Sequence, residues 1–192
     1  MGTRILYLVR HAQALPGEPL DDLGNGLSAL GKRQARWMAR RLMDLPISAI
    51  YHSPLRRAAE TAAVISQHLP GVPLRLSPLL RECIPGWPIH VQQYYQKVSR
   101  AQIEQERKRA GQALVKFFRP TRGPDRHEIL VAHGNIIRCL VLSVLGHPPK
   151  MWTRIDFHNA ALGEVHVLPS GERLLLRLGD NSHIPQRWLT FI

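Results

Sequence analysis

The stretch Leu6-Tyr7-Leu8-Val9-Arg10-His11-Ala12-Gln13 joins a near-continuous apolar run, Ile5 to Val9, to an arginine–histidine pair. A run without polar alternation reads as a parallel strand buried on both faces. Such a strand delivers Arg10 and His11 to its carboxyl end, where ligands bind in open α/β sheets. Ile129-Leu130-Val131-Ala132 repeats the pattern far downstream and ends at His133-Gly134-Asn135. Two buried strands that each end on a histidine point to a shared rim.

Between the two strands, Ala14 to Asn25 is rich in Gly, Pro and Asp and reads as a loop. Loops at strand ends often carry function. Ser28 then caps a helix that runs through Asp44. Its inward positions are Leu30, Ala35, Met38, Leu42 and Leu45, and Lys32, Arg33, Arg36, Arg40 and Arg41 leave a basic outer face. A strand from Ile47 to Tyr51 runs into His52-Ser53-Pro54, where Ser53 suits an N-cap and Pro54 the first position of a helix over Leu55 to His68. Leu74 to Leu80 reads as a third strand, followed by Arg81-Glu82 and a Pro/Gly loop from Cys83 to Pro88. Ile89 to Phe118 reads as one long helix or two, with the polar run Gln102 to Arg109 projecting into solvent.

A linker, Arg119 to Arg126, precedes the His127–Ala132 strand and a helix from Asn135 to Leu145. Gly146 and Pro148-Pro149 end that helix. Trp152 to Phe157 reads as a strand, and Ala161–Leu168 and Glu172–Leu178 flank Pro169-Ser170-Gly171 as a β-hairpin. The last residues, Asn181 to Ile192, read as a packed tail. This order predicts an α/β fold: a mostly parallel central sheet, helices on both faces, and an antiparallel edge hairpin. A single domain over 1–192 is expected, with a helical insertion around 89–118.

Hydrophobic residues make up 44% of the 192, enough for a sizeable core and against global disorder. Lys and Arg number 26 against 14 Asp and Glu, and the resulting net charge of +12 favours anionic partners. Cys83 and Cys139 form neither a disulfide framework nor a metal spacing, which suits a reduced compartment. The histidines show no HxH or HExxH pattern, so neither a metal nor a cofactor is expected. The first strand starts almost at Met1 and no apolar run is long enough to span a bilayer. A cytoplasmic location is the default expectation.

The groups just past the strand ends carry the chemistry. They are Arg10 and His11, then Arg56 and Arg57, then Glu82, then His133 and Gly134. Adjacent parallel strands would bring them to one rim. Arginine's planar fork suits phosphoryl oxygens, and helix N-termini after Ser53 and His133 can add backbone donors. An imidazole is a competent nucleophile at neutral pH. A carboxyl group of raised pKa can protonate a departing alkoxide. Together these predict metal-free phosphoryl transfer through a phosphohistidine.

Five ordered segments resemble the histidine phosphatase superfamily, with its phosphoglycerate-mutase-like fold. They are Val9-Arg10-His11-Ala12-Gln13, Leu27 to Ala35, Ser53 to Ala62, Leu80-Arg81-Glu82 and Val131-Ala132-His133-Gly134. The resemblance implies that His11 is the phosphorylated nucleophile and Glu82 the acid/base. It implies that Arg10, Arg57 and His133, with Gly134 beside it, bind the phosphoryl group, and that Asn159 lies near the pocket. His133-Gly134-Asn135-Ile136-Ile137-Arg138, Gln93-Tyr94-Tyr95 and Leu178-Gly179-Asp180 are similar to the branch of mitochondrial phosphoglycerate-mutase-like serine/threonine protein phosphatases. Ala12 departs from the glycine usual after the nucleophilic histidine. That branch also carries an N-terminal membrane anchor, so its substrate and location do not transfer on resemblance alone.

The expected activity is hydrolysis of a phosphorylated small molecule or a phosphoprotein. One alternative is phosphoglycerate-mutase-type transfer. Another is a basic module that binds nucleic acid or phosphoprotein without catalysis; aromatic residues make up only 6% of the chain and show no stacking motif, which counts against nucleic acid. Arg56, Cys83, the polar run Gln102–Arg109 and the remaining histidines read as structural or solvated. The edge strand and the projecting helical segment offer surfaces for a homo-oligomer.

Overall fold

The computed structural model describes residues 1–17, 21–87 and 98–191. Its strands are β1 (Arg4–Arg10), β2 (Ile47–His52), β3 (Leu74–Leu76), β4 (Arg126–Ala132), β5 (Leu162–Val167) and β6 (Arg173–Asp180). Its helices are α1 (Ala29–Leu42), α2 (Arg56–Ser66), α3 (Arg100–Phe117) and α4 (Gly134–Val144). The strands form one sheet in the order β3-β2-β4-β1-β5-β6. β3, β2, β4 and β1 run parallel, and β5 and β6 add the antiparallel edge.

β1 lies deep in the sheet, and its apolar run serves two cores. Leu6 and Leu8 face a layer with Ala113 and Phe117 of α3 and Leu140 of α4. Ile5, Tyr7 and Val9 face the opposite layer with Met38 and Leu42 of α1 and Ala58 and Ile65 of α2. This is why the sequence shows no polar alternation there. Register then places the site: Arg10 pairs with Ala132 and His52 with Val131. His11, His133 and Ser53 therefore leave three neighbouring strands at one level.

Two expected strands take another form. Only Leu74–Leu76 of the Leu74–Leu80 segment is a strand, and Pro78–Leu80 is a 3₁₀ turn. Pro78 has no N–H for a ladder and its fixed φ suits the first position of a turn. The segment expected as a strand from Trp152 to Phe157 begins instead in a 3₁₀ turn, Pro149–Arg154. Pro149 starts that turn, and Trp152 is buried with its indole N–H donating to the Gly86 carbonyl at 3.0 Å. Residues 89–97 of the expected helical insertion, with Gln93-Tyr94-Tyr95, lie outside the described residues. The polar run Gln102–Arg109 belongs to α3, and it does not simply project into solvent. Arg109 donates to the Glu82 carbonyl at 2.7 Å, and Glu106 accepts the Ile84 N–H.

Candidate active site

His11 follows β1 and is buried. Its backbone is held on every side. Its N–H donates to the Ala132 carbonyl at 2.9 Å, and its own carbonyl accepts from Ala160 N–H at 3.1 Å and Asn159 Nδ2 at 3.3 Å. The next N–H, of Ala12, donates to Thr61 Oγ1 at 3.1 Å. Ala12 itself stays out of the left-handed region, so an alanine meets no backbone strain there.

The ring of His11 has two distinct nitrogens. Nδ1 lies 2.8 Å from the Ala12 carbonyl, which can only accept, so Nδ1 carries the proton. Nε2 is then a bare lone pair, and Arg57 Nε donates into it at 3.0 Å. Burial and the charges of Arg57 and Arg10 push the His11 pKa down to about 3, which keeps the ring neutral.

Arg57 lies in the first turn of α2, and its carbonyl accepts from Thr61 one turn later at 2.7 Å. Arg10, the last residue of β1, donates to the carbonyls of Phe157 and Phe191, each at 2.5 Å. Its Nε is buried with no hydrogen-bond partner among the described residues. Arg56 pairs with Asp21 at 2.5 Å on the rim.

Glu82 follows the 3₁₀ turn and reaches the N-terminus of α4. Oε1 accepts from Cys83 N–H at 3.0 Å and Ile136 N–H at 3.2 Å, and Oε2 from Asn135 N–H at 3.5 Å. Burial raises its pKa, outweighing these donors and the nearby Arg57. The α4 donors that the sequence offered to a substrate anion thus go to Glu82. Gly134 lies against Arg10, where an added Cβ would find ordinary contact at 3.8 Å.

His133 is fully buried, with its ring centroid 5.1 Å from that of His11. Burial, the neighbouring His11 ring and the charges of Arg57 and Arg10 push its pKa well down. Arg10, His11, Arg57, Arg81 and Glu82 line a cleft of about 670 Å³, walled by Leu15, Asp21, Asp22 and Asn25 from the first loop. Asn159 is buried behind His11 and accepts from Thr190 Oγ1 at 2.9 Å. It holds the backbone of His11 from behind.

The sequence reading gave Thr61 no role of its own and placed Arg109 and Glu106 on a solvated helix face. Thr61 had a usable signal, since it stands four residues after Arg57 on the same helix face. The other two act across 22 or more residues of chain, and no local pattern marks them. Among the described residues, no group of three or more His, Cys, Asp or Glu side chains is placed to hold a metal ion. No helix among them is long and apolar enough to cross a membrane.

The family model described as histidine phosphatase superfamily (branch 1) matches residues 6–100 and 84–180. The chain is 31% identical over 198 residues to mouse mitochondrial serine/threonine-protein phosphatase PGAM5, covering 98% of this chain and 66% of that protein. With the *Xenopus laevis* protein of the same name it shares 34% over 193 residues, 95% of this chain and 67% of the relative. It thus spans about two thirds of the length of such relatives. Among solved structures, a *Plasmodium falciparum* phosphoglycerate mutase superposes with a TM-score of 0.66 at 25% identity, covering 97% of this chain and 96% of that one. A phosphoserine phosphatase variant from *Entamoeba histolytica* superposes with a TM-score of 0.70 at 19% identity, covering 95% and 100%.

Proposed function

The chain belongs to branch 1 of the histidine phosphatase superfamily, and we propose that it hydrolyses phosphomonoesters through a phosphohistidine on His11. The observation that carries this reading is the state of the His11 ring. Its Nδ1 proton is committed to the Ala12 carbonyl, leaving Nε2 as a lone pair beside Arg57 at the cleft.

The reaction runs in two steps. Nε2 attacks phosphorus as the ester P–O bond breaks, and the Glu82 carboxyl gives its proton to the leaving oxygen. Glu82, now a carboxylate, takes a proton from water as that oxygen attacks phosphorus. The N–P bond breaks, inorganic phosphate leaves, and His11 and Glu82 return to their starting states. Arg57 releases Nε2 when the anion arrives and, with Arg10 and His133, offsets its charge in a preorganised site. These steps use only side chains, so no metal or cofactor is required.

A phosphoserine or phosphothreonine side chain is the substrate we favour. Relatives at 31–34% identity are named serine/threonine-protein phosphatases, and exposed loop residues form the cleft wall.

The test is turnover of an aryl phosphate in EDTA by wild type and His11→Ala, followed by a phosphoserine peptide. Turnover by wild type alone supports the reading, and equal turnover by His11→Ala overturns it. Phosphoglycerate interconversion that needs a bisphosphate primer would reassign the site to a mutase.

A further inference from the structure

Ser53 leaves the end of β2 with its side chain fully buried. Its Oγ accepts from Leu55 N–H at 3.2 Å and lies 2.7 Å from Nε2 of His133. Nδ1 of His133 is buried and has no hydrogen-bond partner among the described residues. Burial and the cationic neighbours hold this ring neutral. A neutral imidazole has one N–H, so its placement decides what the ring can do.

Two proton arrangements fit the distances. In one, Nε2 carries the proton and donates to Ser53. The serine oxygen then receives two donors, its own proton finds no acceptor among the described residues, and Nδ1 is a buried lone pair. In the other, the serine hydroxyl donates to Nε2 and the ring proton sits on Nδ1. Ser53 is then fully satisfied, and the single unmade bond is an N–H donor. The second leaves less unpaired, and what it leaves is what an anion needs.

We propose that Ser53 is a positioning residue that holds His133 as its Nδ1–H tautomer, so that a neutral imidazole offers a hydrogen-bond donor to the phosphoryl group beside His11. This rests on the phosphatase reading. It goes further by assigning a proton at a stated atom and a residue that puts it there. Without Ser53 the tautomers compete, and the Nε2–H form leaves Nδ1 a lone pair that cannot donate to a phosphoryl oxygen.

The experiment is ¹⁵N NMR of the histidine rings in the full chain, as wild type, Ser53→Ala and Ser53→Thr, with aryl phosphate kinetics and inorganic phosphate titration of each. Wild type should show the His133 proton on Nδ1. Ser53→Ala should show a tautomer mixture and lose about 10–100-fold in kcat/KM, and Ser53→Thr, which keeps the hydroxyl, should recover much of it. A wild-type proton on Nε2 overturns the proposal, and that result stands even if Ser53→Ala does not fold. Lost activity with the Nδ1–H tautomer intact overturns it too, since Ser53 is then only structural. Should wild type show no turnover, the phosphatase reading fails, yet the tautomer and the phosphate affinity still decide the role of Ser53.

Discussion

Arg57 donates its Nε–H to Nε2 of His11 at 3.0 Å, so the atom proposed to attack phosphorus is capped by an arginine proposed to bind the phosphoryl group. The pairing is self-consistent, because the same cation helps keep the imidazole neutral. Productive binding must break it. Arg57→Ala should lower kcat/KM by about 10²–10³, the usual cost of one preorganised donor to a developing charge. Arg57→Lys should restore only part, since a point charge cannot reproduce the planar fork. In a phosphate-soaked crystal the Arg57–His11 bond should be gone. An unbroken bond with phosphate in the cleft would remove Arg57 from the phosphoryl-binding set.

Glu82 is the proposed acid, and burial shifts its pKa toward the protonated form. The amide of Glu82→Gln can still accept from Cys83 and Ile136 N–H, so the loop should hold. What is lost is the acid. Alkyl phosphates, with poor leaving groups, should slow by about 10²–10⁴, and p-nitrophenyl phosphate far less. Equal losses on both substrates would show that Glu82 acts on binding rather than on the leaving group.

Stability should depend on pH through the two site histidines. Both are held below their ordinary value of 6.5, His11 down to about 3. Below that ordinary value the unfolded chain binds protons that the fold refuses, so their contribution is lost as pH falls from about 6.5 toward 3. Each can cost up to about 1.4 kcal/mol per pH unit in that window. Glu82 has the opposite sign: its folded carboxyl keeps a proton that the unfolded chain gives up, so its contribution fades as pH rises. Thermal melts from about pH 7.5 to 4.5 should show a shallower acid loss in His11→Asn and His133→Asn than in wild type. Parallel curves for all three would mean that neither histidine is buried neutral.

The central strands were legible because burial on both faces writes a continuous apolar run, and β1 and β4 each stop sharply at Arg10 and Ala132. Their adjacency and parallel register then bring Arg10, His11 and His133 to one rim. Edge elements were harder to read. Among the described residues β3 pairs only with β2, and Pro78 cuts it to three residues, while Trp152 and Phe157 imitate a strand within a segment that starts as a 3₁₀ turn. Asn159 shows what resemblance alone leaves unsaid, since a place near the pocket did not reveal that its amide faces the His11 carbonyl. Arg109 and Glu106 looked like one solvated helix face, because the loop they brace arrives from elsewhere in the chain.

Gly31 gives the most direct test that the loop after His11 is seated on α1. A Cβ there would lie 2.0 Å from the backbone oxygen of Gln13. That oxygen also accepts from Ser28 N–H at 3.0 Å, while Gln13 N–H donates to Gln34 Oε1 at 2.9 Å, so the loop cannot shift without giving up bonds. Gly31→Ala should therefore destabilise by about 1–3 kcal/mol, as overpacking does. It should also cut kcat/KM by roughly 10² if His11 is the attacking group, because His11 moves with its loop. Gly111, inside α3, is the control, since a Cβ there meets nothing within 4 Å. Gly111→Ala should stabilise by about 0.5–1 kcal/mol and leave activity unchanged. Denaturant unfolding and aryl phosphate kinetics on both variants separate the cases. If Gly31→Ala gained stability as Gly111→Ala should, the Gln13 contact would not be holding the loop, and the rigidity of His11 would have to come from its bonds with Ala132, Ala160 and Asn159 and that of Ala12 with Thr61.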